Sequence, residues 1–387
     1  MRLGELLLQE NLVSREGLEE ALEEQVVQGG RLGTNLVELG LISEHELARS
    51  LGKLHNMSFA AGDMKPDPRA VELLDLNFQD DRDVLAMRAD ATRLTVACIN
   101  PRDLATLDEI AFHTGRRVVP VVICEFRMNQ LLRHHCKAFR PIRAVDMNTV
   151  RPSRTKAAQQ PGEVVQPMAD LMSEDEFQSL YAEVLSGGRT RDQEEILEGT
   201  IVEEEPTPPA PVIAPPAAPP PAPAPRPLSF SEAQKALGQS SDREQVAQTV
   251  LRFAISKWKR ALLLNVQGAL VTGWRGAGQG IRDGAVARIA VALRGQTTFK
   301  LVRDTRSHFV GPLRRDAGTA IFFRLLGGDF PTNAVMMPLL VRGKVVHILY
   351  VDNGPGQVTP PDIGELLILA QSVARSYEAI IKARQKA

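Results

Sequence analysis

Cysteine is scarce in this 387-residue sequence, which holds three, Cys98, Cys124 and Cys136, at spacings that fit neither a disulfide framework nor a metal-binding motif. Few unpaired cysteines are typical of a protein kept in a reducing compartment. The sequence also lacks any apolar run near the ~18 residues that a membrane span requires. The apolar stretch LLL close to the first residue is too short for a secretory signal peptide. We therefore expect a cytoplasmic protein without a membrane span.

An excess of charge is missing as well, since the formal net charge is −1 at pH 7. Without a basic field, the composition indicates no nucleic acid partner. The P-loop pattern G-x-x-x-x-G-K-[ST], which binds nucleotide phosphates in motor ATPases, does not occur. No nucleophile with an acid–base pair is recognisable, and the adjacent His134 and His135 point to different sides of a helix. We expect no catalytic residues, no metal and no enzymatic activity.

The composition changes sharply in the middle of the chain. Positions 206–227 hold twelve of the 26 prolines, which disfavours helix and sheet and favours a semi-rigid polyproline spacer. The preceding stretch, 140–205, is polar and offers too little apolar area to offset the entropy lost on folding. The sequence therefore predicts a disordered charged and Pro-rich linker over 140–228. Positions 172–188 have helical spacing, which fits either a short docking helix or a transient one.

Two folded parts flank this linker, and together they predict an α+β multidomain protein. The first contains a tandem-repeat helical subdomain, 1–59, and a small α/β subdomain, 60–139. The second, 229–387, has a hairpin around Arg342 and Gly343 and a long amphipathic helix at its end. Within it, segment 285–295 is predicted to be a helix and segment 298–305 a strand. The order implies an antiparallel sheet flanked by helices and resembles a GAF domain, a small sensory fold.

The first subdomain contains a similar 24-residue stretch twice, at an offset of 29 positions. The identical pairs are Arg2/Arg31, Leu3/Leu32, Gly4/Gly33, Leu7/Leu36, Leu12/Leu41, Ser14/Ser43, Leu18/Leu47 and Leu22/Leu51. A repeat of this quality indicates duplicated structure. In each copy Asn11 or Gly40, which tolerate the left-handed conformation, ends a short helix, and the serine three residues later caps the next helix. The two copies are therefore predicted to form four helices.

Capping and packing leave the two Arg-Leu-Gly triplets unexplained. An arginine followed by an apolar residue and a glycine at a helix entrance presents a cation, an apolar surface and an open backbone. Arginine forks onto a phosphate or onto O6 and N7 of guanine, and it also stacks on a base. Two such corners related by a repeat would suit a pseudo-symmetric ligand that carries two guanines and two phosphates.

The two copies, separated by a five-residue spacer, match most letters of the motif RLGxxLVxxGxIxxxxLxxxLxxQ and so resemble the MshEN subset of a known domain. That domain is the N-terminal domain of type II secretion and type IV pilus assembly ATPases (GspE, PilB and MshE-like proteins). The resemblance covers 1–139 and implies two half-sites for cyclic di-GMP. The residues carried over are Arg2, Leu3, Gly4, Leu7, Leu8 and Gln25 in one half-site and Arg31, Leu32, Gly33, Leu36 and Val37 in the other. Three departures matter for the site: Asn11 replaces a glycine, Leu54 replaces the last glutamine, and only Met1 precedes Arg2.

Two functions of different classes fit these observations. The first is a non-enzymatic cytoplasmic regulator. Its N-terminal part would bind cyclic di-GMP or dock on a secretion, pilus or gliding machine, and a GAF-like sensory or dimerisation module would replace the ATPase motor. The alternative is a ligand-free interaction scaffold of such a machine, which forms a homodimer through the C-terminal domain. Neither hypothesis includes a cofactor other than cyclic di-GMP.

Overall fold

The computed structural model describes residues 1–147 and 226–387, apart from positions 294, 316, 328–329, 361–362 and 387. Most of the predicted linker, including the predicted docking helix at 172–188, lies outside the described residues. We refer to residues 1–147 as the N-terminal unit and to residues 226–387 as the C-terminal unit. None of the helices described in either unit is both long and apolar enough to cross a membrane.

The N-terminal unit opens with four helices, which confirm the predicted repeat. They are α1 (Leu3–Gln9), α2 (Arg15–Gln28), α3 (Leu32–Glu38) and α4 (Glu44–His55). Asn11 and Gly40 take φ values of 54° and 68°, as the predicted turns require. The hydroxyl groups of Ser14 and Ser43 each accept a hydrogen bond from the backbone N–H three residues further on, at 3.0 and 3.2 Å. The duplication in sequence is therefore a duplication in structure.

A small α/β subdomain follows the four helices. Its elements are α5 (Pro68–Val71), α6 (Leu76–Asp81), β1 (Val84–Ala89), β2 (Arg93–Cys98), α7 (Leu104–Thr114), β3 (Arg117–Val122) and α8 (Glu125–His135). Strand β2 lies between β1, to which it is antiparallel, and β3, to which it is parallel. Alternate residues pack on opposite faces of the sheet, with Leu94 and Val96 on one face and Leu85 and Ala97 on the other.

The predicted start of the linker at residue 140 is wrong, because residues 140–147 pack against the N-terminal unit. They end in a 3-10 turn (Ala144–Met147) whose four residues are buried. The arginines that gave this stretch a polar, linker-like composition are paired with carboxylates of the folded unit. The pairs are Arg140 with Asp80 and Asp83, and Arg143 with Glu38. Charge-assisted hydrogen bonds thus anchor a segment that has little apolar surface of its own.

The C-terminal unit is built on a six-stranded sheet in which all neighbouring strands are antiparallel, as predicted. Its strands are β4 (Arg260–Gln267), β5 (Leu270–Gly278), β6 (Ala290–Ala292), β7 (Phe309–Gly311), β8 (Ala334–Val341) and β9 (Lys344–Asp352). Their spatial order is β6-β5-β4-β9-β8-β7. The helices are α9 (Phe230–Gln239), α10 (Arg243–Ala254), α11 (Asp283–Ala287), α12 (Thr298–Thr305), α13 (Ala317–Leu325) and α14 (Gly364–Lys386). Helices α9, α10 and α14 cover one face of the sheet, and α11–α13 cover the other.

Two predicted elements of this unit are of the wrong type. Segment 298–305, predicted to be a strand, is helix α12, and segment 285–295, predicted to be one helix, contains the end of α11 and strand β6. The Thr297 hydroxyl caps α12 by accepting a hydrogen bond from the Lys300 N–H at 3.1 Å. Phe299 and Val302 are both fully buried, one turn apart. A cap and an i, i+3 apolar pair thus outweigh the strand propensity of threonine, phenylalanine and valine.

The glycine-rich segment 273–280 belongs mostly to strand β5. A Cβ atom on Gly273 would overlap the carbonyl oxygen of Val286, and one on Gly278 would overlap the carbonyl oxygen of Lys259. The glycines therefore allow a neighbouring backbone to approach the strand closely.

The two units contact each other through helix α2. Val26 and Val27 belong to the apolar cluster that α9, α10 and α14 form over the sheet of the C-terminal unit. The amide of the buried Gln28 donates to the carbonyl oxygens of Val266 (3.1 Å) and Val346 (3.4 Å). The ion pairs at the edge of this contact are Glu23 with Arg342 and Glu20 with Lys344. Helix α2 thus belongs to the repeat and also makes apolar and polar contacts with the C-terminal unit.

Candidate functional site

The two Arg-Leu-Gly triplets adopt the same conformation at the starts of α1 and α3. Arg2 and Arg31 are the N-cap residues of these helices, with φ/ψ of −88°/156° and −85°/148°. Both residues are exposed. Nε of Arg31 lies 3.4 Å from a carboxylate oxygen of Glu125, the first residue of α8. In the described part of the chain, no ion pair involves Arg2. The repeat therefore presents two guanidinium groups at equivalent positions.

The glycines of the triplets have a packing role that the sequence analysis did not identify. A Cβ atom on Gly4 would lie 3.2 Å from a methyl group of Leu18, and one on Gly33 would lie 2.9 Å from a methyl group of Leu47. Leu18 and Leu47 are equivalent positions of the two copies, so each glycine accommodates the leucine of its own copy. A methyl group of Leu32 lies 3.8 Å from the same Cβ position on Gly4. The two triplets therefore adjoin each other.

Replacing Gly33 by alanine is expected to lower the free energy of unfolding by about 1–2 kcal/mol, because the buried Leu47 must move to admit the methyl group. Gly238→Ala is the matched control, since Gly238 lies in α9 with open space at its Cβ position. There alanine is expected to be neutral or to stabilise by up to about 1 kcal/mol. Urea unfolding followed by circular dichroism measures both variants. Equal stability of Gly33→Ala and the control would contradict the packing role.

The leucine and valine residues of the predicted half-sites lie in two environments. Those buried in the helical core, at 0–5% exposure, are Leu7, Leu36 and Val37. Those partly exposed beside the arginines are Leu3, Leu8 and Leu32. Folding alone therefore accounts for the buried residues, and the partly exposed leucines provide the apolar surface that a ligand can reach.

Gln25, the last residue of the first motif, closes the spacer between the two copies (residues 26–30). Its Nε2 donates to the carbonyl oxygen of Gly30 at 2.9 Å, and Nδ2 of Asn35 donates to that of Gly29 at 3.0 Å. Gly29 and Gly30 have φ values of 73° and 75°. Leu54, the equivalent of Gln25 in the second copy, has no amide with which to make such a bond. The two half-sites thus differ in their polar groups.

A polar pocket of about 250 Å³ adjoins Arg31, between the repeat and the α/β subdomain. Its lining includes Arg82, which follows α6, and Asn100 and Asp103, which lie in the turn from β2 to α7. None of these residues was predicted from the sequence to belong to a site. The signal available for two of them was a polar turn between a predicted strand and a predicted helix, a common place for binding residues.

The three cysteines are buried or partly buried. Burial raises the pKa of the Cys98 and Cys136 thiols to about 11. Cys124 is the N-cap of α8, and burial raises its pKa as well. Thiols with a raised pKa are weak nucleophiles, because the thiolate is the reactive form. Over the residues that are described, no three His, Cys, Asp or Glu side chains are grouped so as to hold a metal ion.

Comparison with known proteins supports the resemblance for part of the chain. Residues 56–141 match the MshEN domain family, and the candidate site residues all precede this range. The type IV pilus assembly ATPase PilB of Myxococcus xanthus (strain DK1622) is 31% identical over 135 residues, which are 35% of this chain and 24% of that protein. The chain thus spans about a quarter of the length of this relative.

Two solved structures are similar to different parts of the chain. A structure of MshE with cdg is 27% identical and covers 35% of this chain and 99% of that chain, with a TM-score of 0.29. The GAF domain from an Acinetobacter phosphoenolpyruvate-protein phosphotransferase is 14% identical and covers 39% of this chain and 90% of that chain, with a TM-score of 0.31.

Proposed function

We propose that this protein is a non-enzymatic regulator whose N-terminal unit binds cyclic di-GMP through the two Arg-Leu-Gly triplets. The observation that carries the proposal is the equivalence of Arg2 and Arg31, which are exposed N-cap residues of repeated, adjoining corners. Cyclic di-GMP has two guanines and two phosphodiesters, so each guanidinium meets the same chemical group. Arginine binds either group through two parallel hydrogen bonds.

The surroundings of the triplets suit such a ligand. Leu3, Leu8 and Leu32 leave apolar surface partly exposed beside the arginines, where the faces of guanine bases would be shielded from water. Arg31 is held by Glu125 at 3.4 Å, and the Arg31 side chain is 54% exposed. An exposed ion pair contributes little free energy, so the exchange of Glu125 for a phosphodiester costs little.

Replacing Arg31 by alanine is expected to weaken cyclic di-GMP binding by the full-length protein about tenfold or more, because one charge-assisted hydrogen-bonding group is lost. Isothermal titration calorimetry measures the change. Arg15→Ala is the matched control, since Arg15 is an exposed arginine of α2 outside the triplets, and its affinity should equal that of the wild type. If Arg31→Ala binds as tightly as Arg15→Ala, the assignment of the triplets is wrong.

The relatives support a wider role, which we also propose. The similarity to PilB, a type IV pilus assembly ATPase, favours docking on a secretion, pilus or gliding machine in the cytoplasm. The MshE structure with cdg supports the choice of ligand. The C-terminal unit would then act as a GAF-like sensory or dimerisation module in place of a motor, and α14 would form the homodimer contact.

The alternative is a ligand-free scaffold of the same kind of machine. Two observations favour it: the packing role of Gly4 and Gly33, and the burial of Leu7, Leu36 and Val37, both of which folding explains without a ligand. The same titration distinguishes the two functions. A wild-type protein that gives no heat at ligand concentrations of several hundred micromolar would favour the scaffold.

A further inference from the structure

The spacer that joins the two half-sites is also a contact with the C-terminal unit. A Cβ atom on Gly29 would overlap the guanidinium of Arg243, the first residue of α10. A Cβ atom on Gly30 would overlap the guanidinium of Arg143, from the end of the N-terminal unit. The two glycines therefore leave room for two arginines, and the next residue along the chain is Arg31.

The side chain of Arg243 is largely buried, at 17% exposure, and its guanidinium lacks a full set of partners. It lies over the ring of Trp274, with 4.0 Å from Cζ to the ring centroid. Its buried Nε has no hydrogen-bond acceptor among the described residues. The nearest carboxylate oxygen belongs to Glu244, 4.0 Å away, and that carboxylate already accepts hydrogen bonds from Trp274 and from Arg275.

Charged groups of both signs lie close to Arg243 at this junction. Arg143 is paired, because its Nε and Nη2 donate to Glu38 and to Asn35 at 2.6–2.9 Å. Burial lowers the pKa of Arg243; Tyr377 and Glu244 oppose this shift, and the charges of Arg143 and Arg275 act in the same direction as burial. An anion placed beside Arg243 would relieve the repulsion by these two arginines and supply the missing acceptor.

Unused backbone donors follow Gly29, the residue that lies beside this cation. Gly30 is exposed, and neither its N–H nor that of Arg31 donates to a protein acceptor in the part of the chain that the structure describes. Adjacent backbone N–H groups next to a guanidinium are a recurrent environment for phosphate oxygens. The donors and the cation belong to different units and meet only when the units are in contact.

We propose that Arg243 and the Gly29–Gly30–Arg31 backbone form a phosphate-binding site shared by the two units, which takes one phosphodiester of the ligand at the second half-site. This inference rests on the proposed function and adds a residue of the C-terminal unit to the site. Ligand binding and docking of the C-terminal unit on α2 then stabilise each other, since a ligand held by both units favours their contact. The C-terminal unit thereby senses whether the repeat is occupied.

The test compares cyclic di-GMP affinity in the full-length protein carrying Arg243→Gln with the wild type and with Arg375→Gln. Arg375 is an exposed arginine of α14 and serves as the matched control. We expect Arg243→Gln to bind about tenfold more weakly and Arg375→Gln to bind as the wild type does. Arg243→Lys keeps the charge and loses the planar guanidinium, so its affinity for cyclic di-GMP should lie between those of Arg243→Gln and the wild type. Melting curves by circular dichroism identify any variant that fails to fold.

A second readout uses Trp274, which lies directly beneath Arg243, in a Trp258→Phe background that leaves Trp274 as the single tryptophan. Cyclic di-GMP should shift the Trp274 emission when Arg243 is present and leave it unchanged in Arg243→Gln. Ligand binding that depends on Arg31 but is equally tight in Arg243→Gln would overturn the shared site and leave the proposed function standing.

If the wild type does not bind cyclic di-GMP, the proposed function fails, and inorganic phosphate then tests the shared site separately. A shift of Trp274 emission by phosphate, relative to chloride at equal ionic strength, that disappears in Arg243→Gln would support an anion site. The absence of such a shift would overturn the site as well.

Discussion

Replacing Glu44 by alanine is expected to lower the free energy of unfolding of the N-terminal unit by about 3–5 kcal/mol. Glu44, the first residue of α4, is buried and receives two hydrogen bonds from Arg127 of α8, at 2.9 and 2.7 Å. It also accepts the N–H of Gly62 at 3.1 Å. Removing the carboxylate leaves a buried cation without its main partner, which is far more costly than losing an exposed pair.

Two further variants, measured by chemical denaturation, test whether the unpaired buried charge of Arg127 causes this loss of stability. Glu19→Ala removes an exposed glutamate of α2 and should change the stability by less than about 0.5 kcal/mol. The double variant Glu44→Leu with Arg127→Met replaces both charges by apolar groups and should recover most of the loss. A double variant as unstable as Glu44→Ala would show that shape, rather than the unpaired charge, determines the effect.

Stability is expected to fall as the pH is lowered from about 6.5 towards 3 because of His347. Burial lowers the pKa of this fully buried histidine to about 3, and the charge of Arg243 acts in the same direction. In the unfolded chain a histidine titrates near pH 6.5. Between these values the unfolded state binds the additional proton, so each pH unit removes about 1.4 kcal/mol of stability, or roughly 3 kcal/mol by pH 4.5.

The measurement is the slope of unfolding free energy against pH, for the wild type and for His347→Gln. Glutamine does not titrate, so the slope of this variant between pH 4.5 and 6.5 should be smaller by about 1.4 kcal/mol per pH unit. Its absolute stability will also change, since His347 shares a 2.8 Å hydrogen bond with Tyr377 and stacks on Trp274. His308→Gln, at an exposed histidine, should leave the slope unchanged. Equal slopes in all three proteins would contradict the assignment to His347.

The helical repeat was predictable because its two copies give the same local signals. Asn11 and Gly40 mark the turns, and Ser14 and Ser43 mark the helix starts; all four positions behave as these residue types require. Helix α12 was predicted wrongly although Thr297 caps it, because the strand propensity of its residues is outweighed only when the rest of the unit buries Phe299 and Val302. Elements whose signals lie within a few residues could be predicted, and elements whose type depends on distant contacts could not.

The residues of the candidate site also differ in whether the nearby sequence or a distant contact reveals their role. Arg2 and Arg31 stand out in the sequence, because no local rule explains an arginine at the start of each copy. The packing role of Gly33 could not be predicted from the sequence, since it depends on how closely Leu47 of the next helix approaches Gly33. Arg243 carries no signal at all in the sequence, because its importance arises from a contact between two units.

The shape of the six-stranded sheet has a consequence for self-association. Its two edges, β6 and β7, are strands of only three residues each, next to inner strands of eight or nine. An edge this short exposes few unpaired backbone groups, so a second chain cannot extend the sheet by strand addition over a useful length. Copies of this protein are thereby kept from polymerising edge to edge, even though the inner strands are long and apolar.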